Sequence, residues 1–277
     1  MYGHLFSLLL DRNVSEIQFP LVVLTASGWH NDIYYVDSLK LGVWSLKPQW
    51  IENYPWIVFH SFWGYKIAKV GYTLDDAAGE CFDKVARMMW GPYPGGQRIS
   101  EKALKSIKYQ VSSIKTNNEW PIMSYQWIDI IFKRIFLSKD TFEFSFSWMK
   151  SQVSFLLKEF EKHWKIKKLE DWTLDIPEEL ICDIAYEFQE AVVEVMVKKL
   201  IRAGIAFDAK TVWLAGGVSC NDRLREYLNE YGKMEMLKHG NIQEVQFLRP
   251  MKKVYSMDNA AMIGLAGMLE YNNEFKN

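Results

Sequence analysis

Leu214-Ala-Gly-Gly-Val-Ser-Cys-Asn221 has the composition of a turn that lets backbone meet a ligand. The paired glycines Gly216 and Gly217 remove the Cβ that would hold the main chain away. A helix starting near Asn221 would offer free N–H groups to anions or hydroxyls. Alone, a strand, a Gly-Gly turn and a helix are equally compatible with a tight turn that holds nothing. A second segment, Gly71 to Gly96, combines a helix start, an amphipathic helix and a Pro94-Gly95-Gly96 turn, with carboxylates at both ends. Within it, Asp75, Asp76 and Glu80 read as structural, because acids in a first helical turn complement the helix dipole. Lys165-Ile-Lys-Lys168, beside His163 and Trp164, could touch RNA, but a solvated helix end explains it more simply. Cys81, Cys182 and Cys220 are odd in number and scattered, with no CxxC. They point to a reducing compartment, and against a disulfide framework or a thiolate zinc site. None sits in a nucleophile-like setting.

The elements that must position these residues follow from periodicity. Phe19 to Ser27 reads as a buried strand ended by Gly28, with Asp32 to Val36 as its hairpin partner. Residues 40–65 are aromatic-rich and leave room for two more strands. Thr73, with Asp76 three residues on, has a capping-box pattern and predicts a helix from about Leu74 to Met89, with Phe82, Val85 and Met89 as its apolar stripe. Ser147 to Phe160 forms a second helix. Pro177 to Ala203 forms a long third one, with Gly204 as its expected C-cap. Lys210 to Ala215 is a strand, Glu244 to Leu248 another, and a last helix starts near Asp258. Strands and helices alternate in the last third, which predicts α/β layering.

The 277 residues suffice for one large domain or two small ones, and 49% hydrophobic residues can bury a real core. A formal net charge of -1 gives no global field for nucleic acid, so any RNA contact must come from a local patch or a partner. No apolar run reaches the length of a membrane span, and no signal-type core follows Met1. A soluble cytoplasmic protein without a membrane partner is the expectation.

The Gly71–Gly96 segment resembles, nearly residue for residue, the signature stretch of the TsaD family, threonylcarbamoyl transferases that modify tRNA. Gly216-Gly-Val-Ser-Cys-Asn221 is similar to the family's Gly-Gly-Val-(Ser/Ala)-x-Asn. Ser27-Gly28-Trp29-His30 resembles Ser-Gly-Gly-His, and Phe144-Ser-Phe-Ser-Trp-Met-Lys150 resembles Phe-Ser-Phe-Ser-Gly-Leu-Lys. Asp183 to Val193 is similar to a characteristic family helix, and Met257-Asp-Asn-Ala-Ala-Met-Ile263 resembles Thr-Asp-Asn-Ala-Ala-Met-Ile. The likeness runs from Gly3 to about Leu269 and is loose around 40–65, 100–140 and 229–250. It implies the two-lobed α/β fold of the actin/Hsp70/sugar-kinase superfamily (ASKHA). Residues 1–95 would be the remainder of an incomplete N-terminal lobe. Residues 96–277 would be the C-terminal lobe, with a helical insertion and the nucleotide-edge motif.

The resemblance also assigns sites. Thr25, Ala26, Ser27, Gly28 and Trp29 map to the loop that cradles the acyl-adenylate, with Asp83, Gly96 and Asn221 as further substrate contacts. Asp83 and Asn221 offer the short, directional groups that ribose or amide partners need. Met1-Tyr-Gly-His-Leu5 resembles His-Met-x-Gly-His-Leu, whose two histidines four apart share a helix face and one metal. His4 is the second of them and Asp258 the partner carboxylate. The first would lie just upstream of Met1, so the expectation is a chain that starts at an internal methionine and is inactive as it stands. Without the resemblance, His4 reads as an ordinary terminal histidine.

Trp29, Trp90 and Trp148 fall where the family has glycine. If those positions hold left-handed backbone, each replacement costs about 1–2 kcal/mol, and the three together about 3–6 of a domain's usual margin of about 5–15. The indole of Trp29 would also fill the acyl-adenylate's space. Two origins are open: UGA codons that mean glycine in some bacterial lineages, translated as tryptophan, or real substitutions in a decayed paralogue.

The function implied is transfer of the threonylcarbamoyl group from threonylcarbamoyl-AMP to N6 of the adenosine 3′ of the anticodon, in tRNAs reading codons that start with A. One divalent metal, iron or zinc, would polarise the acyl-adenylate. Partners would be tRNA, a TsaB-like paralogue and a TsaE-like ATPase. A non-catalytic TsaB-like scaffold and an ASKHA-fold kinase or ATPase are the alternatives; a metalloprotease is excluded for want of a His-Glu-x-x-His motif.

Overall fold

The computed structural model describes residues 2–38, 52–62, 64–89, 93–106, 124–125, 128–138, 141–164, 176–239 and 245–274. Trp90 and the Lys165–Lys168 run lie outside the described residues.

A mixed six-stranded sheet organises the fold. Its strands are β1 (Leu21–Ala26), β2 (Asn31–Ser38), β3 (Phe59–Phe62), β4 (Tyr65–Gly71), β7 (Thr211–Ala215) and β8 (Gln246–Leu248), in the order β3-β4-β2-β1-β7-β8. A small separate ribbon pairs β5 (Ser124–Tyr125) with β6 (Ile128–Asp129). β1 and β2 form the expected hairpin, with Leu24 opposite Ile33. β1 then runs parallel to β7, from Leu21 beside Thr211 to Thr25 beside Ala215. Strands from both sides of residue 95 therefore share one sheet, and it is the β1–β7 pairing that joins the two segments.

β1 reads Leu-Val-Val-Leu-Thr-Ala and is buried throughout, because it is central and covered on both faces. Val22, Leu24, Ile33 and Tyr35 face the larger core. That core also holds residues of α2 (Ala78–Met89), α4 (Ser147–Trp164) and α5 (Glu178–Ala206). Leu21, Val23, Tyr34 and Trp213 face the smaller core, with Leu5 and Phe6 of α1 (Tyr2–Phe6) and Leu269 of α8 (Ala260–Glu274). The remaining helices are α3 (Gly95–Lys105), α6 (Asp222–Tyr227) and α7 (Lys233–Lys238).

The long helix α5 is buried along most of its 29 residues. Its buried carboxylates therefore have partners, as the cost of leaving them bare requires. Glu190 receives Arg223 in a two-point contact at 2.6 and 2.8 Å. Glu187 takes the Phe132 amide at 3.2 Å and the Arg134 guanidinium. Asp183 accepts from the Ser106 hydroxyl at 2.6 Å. α5 does not stop at Gly204. It passes through to Ala206, where Phe207 caps it, and the left-handed residue that follows is Asp208, φ 49°. Gly204 lies inside the helix and faces the sheet, where a Cβ would make ordinary contacts at 3.4 Å with Val212 and 3.6 Å with Val22.

The capping box at Thr73 does not form. α2 begins at Ala78, and the Thr73 hydroxyl donates to the Asp76 carbonyl at 2.8 Å. The strand-like pairing of Thr73 with Phe144 explains why. Phe144 N donates to Tyr72 O at 2.8 Å and Leu74 N to Phe144 O at 2.9 Å, so residues 72–74 are held extended. Asp75 caps another helix altogether: its carboxylate accepts from Ser145 Oγ (2.5 Å), Phe146 N (2.8 Å) and Ser147 N (3.3 Å) at the start of α4.

Candidate active site

The C-terminal ends of the parallel neighbours β1 and β7 each open into a glycine turn. Crevices at such strand ends are where open α/β sheets bind ligands. After β1, Ser27 shapes the turn: its Oγ accepts from Trp29 N (3.2 Å) and His30 N (3.0 Å), and its own N donates to His30 O at 2.8 Å. Thr25 is buried just before it, its hydroxyl donating to Asp32 O at 3.4 Å. Gly28 is open, with nothing within 4 Å of the Cβ it lacks. After β7, Gly216 holds φ +83°, and a Cβ there would lie 2.4 Å from Ala26 O. Only glycine fits at this point, where the two turns touch. Gly217, the next residue, is open.

From these two turns a closed ring of contacts can be followed. Gly79, in the first turn of α2, donates its N–H to Ser27 O at 3.1 Å; a Cβ on it would strike that oxygen at 2.7 Å. One turn further along α2, Asp83 Oδ1 accepts from Gly95 N at 2.7 Å and so fixes the Pro-Gly-Gly turn. A Cβ on Gly95 would lie 2.7 Å from both Asp83 Cα and Ala86 Cβ, which is why the first glycine of the pair is needed for packing. The Gly96 carbonyl accepts from Ser100 Oγ at 3.1 Å. Ser100 Oγ in turn accepts from Asn221 Nδ2 at 3.1 Å, and Gln189 Oε1 accepts from the same amide nitrogen at 2.9 Å. Asn221 Oδ1 caps α6 by accepting from Leu224 N at 3.0 Å, and a single 3-10 turn, Gly217–Cys220, joins Asn221 to Gly216. The expected substrate residues Ala26, Ser27, Asp83, Gly96 and Asn221 are thus members of one ring. Both amide hydrogens of Asn221 are engaged within the protein, which leaves one lone pair of its oxygen for a ligand. Ser100 and Gln189 were missed from sequence. They lie 89 residues apart, and neither carries a motif of its own.

Trp29 stands 85% exposed on the hairpin turn, and Trp148, in the first turn of α4, is 63% exposed. The non-glycine residues with positive φ among those described are Leu137 and Asp208. The backbone strain expected at Trp29 and Trp148 is therefore not there: neither position is left-handed, and both indoles point to solvent.

His4 and Asp258 meet. Nε2 of His4 lies 3.0 Å from Asp258 Oδ1, with the histidine side chain 15% exposed and the carboxylate 88%. Burial holds the His4 imidazole below its usual range, against the opposing pull of Asp258, and nearby His30 depresses it further. Its Nδ1 is buried with no hydrogen-bond partner. Asn259 fixes Asp258 from behind: its Oδ1 accepts from Met262 N at 3.0 Å, capping α8, and its Nδ2 donates to Met257 O at 2.8 Å. Two donors at about 2.1 Å from one ion, at right angles, stand about 3 Å apart, so this nitrogen–oxygen pair fits two neighbouring positions on a divalent metal. Among the described residues no group of three or more His, Cys, Asp or Glu converges on a metal. Also among them, no helix is long and apolar enough to cross a membrane.

A family model described as TsaD, tRNA N6-adenosine threonylcarbamoyltransferase, matches residues 60–265. A protein of Desulfotalea psychrophila named tRNA N6-adenosine threonylcarbamoyltransferase is 33% identical over 98% of this chain and 60% of its own length. Proteins of the same name from Syntrophomonas wolfei (28%, over 99% of this chain and 60% of the relative) and Bacillus cereus (32%, over 97% and 59%) are similar in the same way. The chain thus spans about 60% of the length of these curated relatives.

Proposed function

Because the chain belongs to the TsaD family, with its mixed α/β fold of ASKHA type, we propose that it serves threonylcarbamoyl transfer from threonylcarbamoyl-AMP to N6 of the adenosine 3′ of the anticodon, in tRNAs reading codons that start with A. The observation that carries this reading is the closed ring joining Ser27, Gly79, Asp83, Gly95, Gly96, Ser100, Asn221 and Gly216 around the ends of β1 and β7. A rigid ring with bare glycines on it suits an acyl-adenylate that must be gripped through its backbone-facing edges.

In the reaction the N6 nitrogen forms a bond to the carbamoyl carbon, the bond from that carbon to the phosphate oxygen breaks, and AMP leaves with the electron pair. One amine proton goes to solvent. The open turns Ala26–Trp29 and Gly216–Gly217 would orient the acyl-adenylate, and Asp83 and Gly96 would set the floor against which it lies. His4 and Asp258 would hold a divalent ion, iron or zinc, which when bound supplies Lewis-acid polarisation. Transfer passes directly to the amine. Cys81 is buried and its thiol is pushed far up by that burial, so it provides no thiolate for a covalent step. Partners in this reading are tRNA, a TsaB-like paralogue and a TsaE-like ATPase, and the compartment is the cytoplasm.

The exposure of Trp29 and Trp148 supports the reading that both are glycine codons rendered as tryptophan, since the fold makes no use of either indole. UGA at these positions in the encoding DNA is the expected finding; UGG would make them real substitutions.

The direct test is calorimetric titration of the chain with threonylcarbamoyl-AMP. One site is expected, weakened at least tenfold by Asp83→Ala. A chain that takes up no acyl-adenylate, with Trp29 and with Trp29→Gly alike, would overturn the proposal.

A further inference from the structure

His30 closes the hairpin turn after β1. Its N–H donates to Ser27 Oγ at 3.0 Å and its carbonyl accepts from Ser27 N at 2.8 Å. The β1–β2 ladder, in which Ala26 stands opposite Asn31, therefore runs one pair further, to Ser27 opposite His30. Side chains alternate between the two faces of a sheet. Tyr34 and Val36 face the smaller core, and Asp32 and His30 follow on that side at steps of two. The same side carries α1, through Leu5 and Phe6, and α8, through Leu269. His4 lies on α1, and Asp258 stands two residues before α8. The alternation thus puts His30 on the face of the sheet where the His4–Asp258 pair lies. A charge on His30 depresses the His4 imidazole, which fits two rings that are near each other.

The other donors of that face are engaged. Asp32 is buried, with Oδ1 2.9 Å from Lys69 Nζ and Oδ2 accepting from Tyr34 Oη at 3.2 Å. Ser27 Oγ is taken by two backbone amides. The His30 side chain is exposed, and no described residue bonds its ring. In this structure the ring does not complete a set with His4 and Asp258; its two side-chain torsions are free to swing it toward them. We propose that His30 is a third protein ligand of the ion held by His4 and Asp258. Two imidazoles and a carboxylate suit iron or zinc and leave further positions on the ion open. The inference rests on the metal reading of the pair given above and extends it. The ion would tie the turn that carries Ser27, Gly28 and Trp29 to α1 and α8, so that metal and acyl-adenylate loop are set together.

The test is zinc binding by the 277-residue chain, measured by competition with a chromophoric chelator, with cobalt as a second probe read by absorption. A hydrogen-bonded neighbour of a metal ligand is worth about 10–100-fold in affinity, and a ligand should be worth no less. His30→Ala should therefore weaken zinc binding about tenfold or more. The melting temperature of the metal-free chain should not change, because the ring is exposed. His30→Cys offers a thiolate at the same place. Its cobalt complex should show a thiolate-to-cobalt charge-transfer band in the near ultraviolet. The unaltered chain should lack that band, and adding His4→Ala to the variant should remove it. A merely structural histidine would move neither readout. Zinc affinity unchanged by His30→Ala would overturn the inference and leave the pair as proposed, as would a His30→Cys complex without the band. An unaltered chain that binds no zinc would overturn the metal reading and this inference with it.

Discussion

The ring at the strand ends and the His4–Asp258 edge hold their residues by opposite means. In the ring each member is tied to the next by a hydrogen bond, by a glycine contact too close for a Cβ or by a short run of chain, and the anchors come from β1, β7, α2, α3, α5 and α6. At the edge, a half-buried imidazole meets a carboxylate that is 88% exposed, and the supporting helix is covered on one stripe. The ring holds its residues in fixed positions. The edge has its two side chains paired but lightly supported. A site that combines the two takes its orientation from the first and tolerates adjustment in the second.

The largest effect should come from breaking the ring where the two turns touch. Gly216→Val puts a β-branched side chain at φ +83°, with its Cβ 2.4 Å from Ala26 O. A loss of about 3 kcal/mol or more is expected in urea unfolding, together with loss of acyl-adenylate binding. Asp83→Ala comes next. It strips the acceptor from Gly95 N, and a buried donor left without a partner costs about 1–3 kcal/mol. Asn221→Ala removes the α6 cap and the link to Ser100, for about 1–2 kcal/mol; a double-mutant cycle with Ser100→Ala should show coupling if the ring acts as a unit.

A smaller effect is set by pH. Burial pushes the Asp76 carboxyl up, but its ion pairs with Lys84 and Lys150 outweigh that and hold it below the usual range. A lowered carboxyl stabilises the fold above its ordinary pKa, and that contribution is lost as pH falls through the folded value. Asp76→Asn should therefore lower stability at pH 7 by about 1 kcal/mol or less and flatten the loss in acid. The smallest effect on stability belongs to the edge. His4→Ala should shift unfolding by less than about 1 kcal/mol yet abolish uptake of iron or zinc by the chain, measured by metal analysis after dialysis. A large destabilisation there would mean that the edge is as tightly built as the ring, and the contrast would fail.

What was legible in the sequence was local. The β1–β2 hairpin, the α2 stripe, the strand before Gly216 and the helix after Asn221 all follow from periodicity and turn chemistry within ten or twenty residues. What failed was tertiary. Thr73 and Asp76 have the spacing of a capping box, but Phe144 claims the backbone between Tyr72 and Leu74 from about seventy residues away. Asp75 likewise caps a helix that starts at Ser147. Gly204 has the residue type of a helix stop, yet α5 runs on through it to Ala206. At the site, the glycines and Asp83 were visible through their motifs, whereas Ser100 and Gln189, which close the ring, carry no local signal. The strain expected at Trp29 and Trp148 rested on an assumption about φ, and sequence does not print φ.

The cap that Asn259 places on α8 also has a mechanical side. It welds the Asp258 backbone to the end of a 15-residue rod, roughly 22 Å long at 1.5 Å per residue. A rod pivoting at its far end by about 5 degrees sweeps the near end through roughly 2 Å. That is enough to open or close the distance to His4. A small tilt of that rod is thus a lever on the spacing of His4 and Asp258.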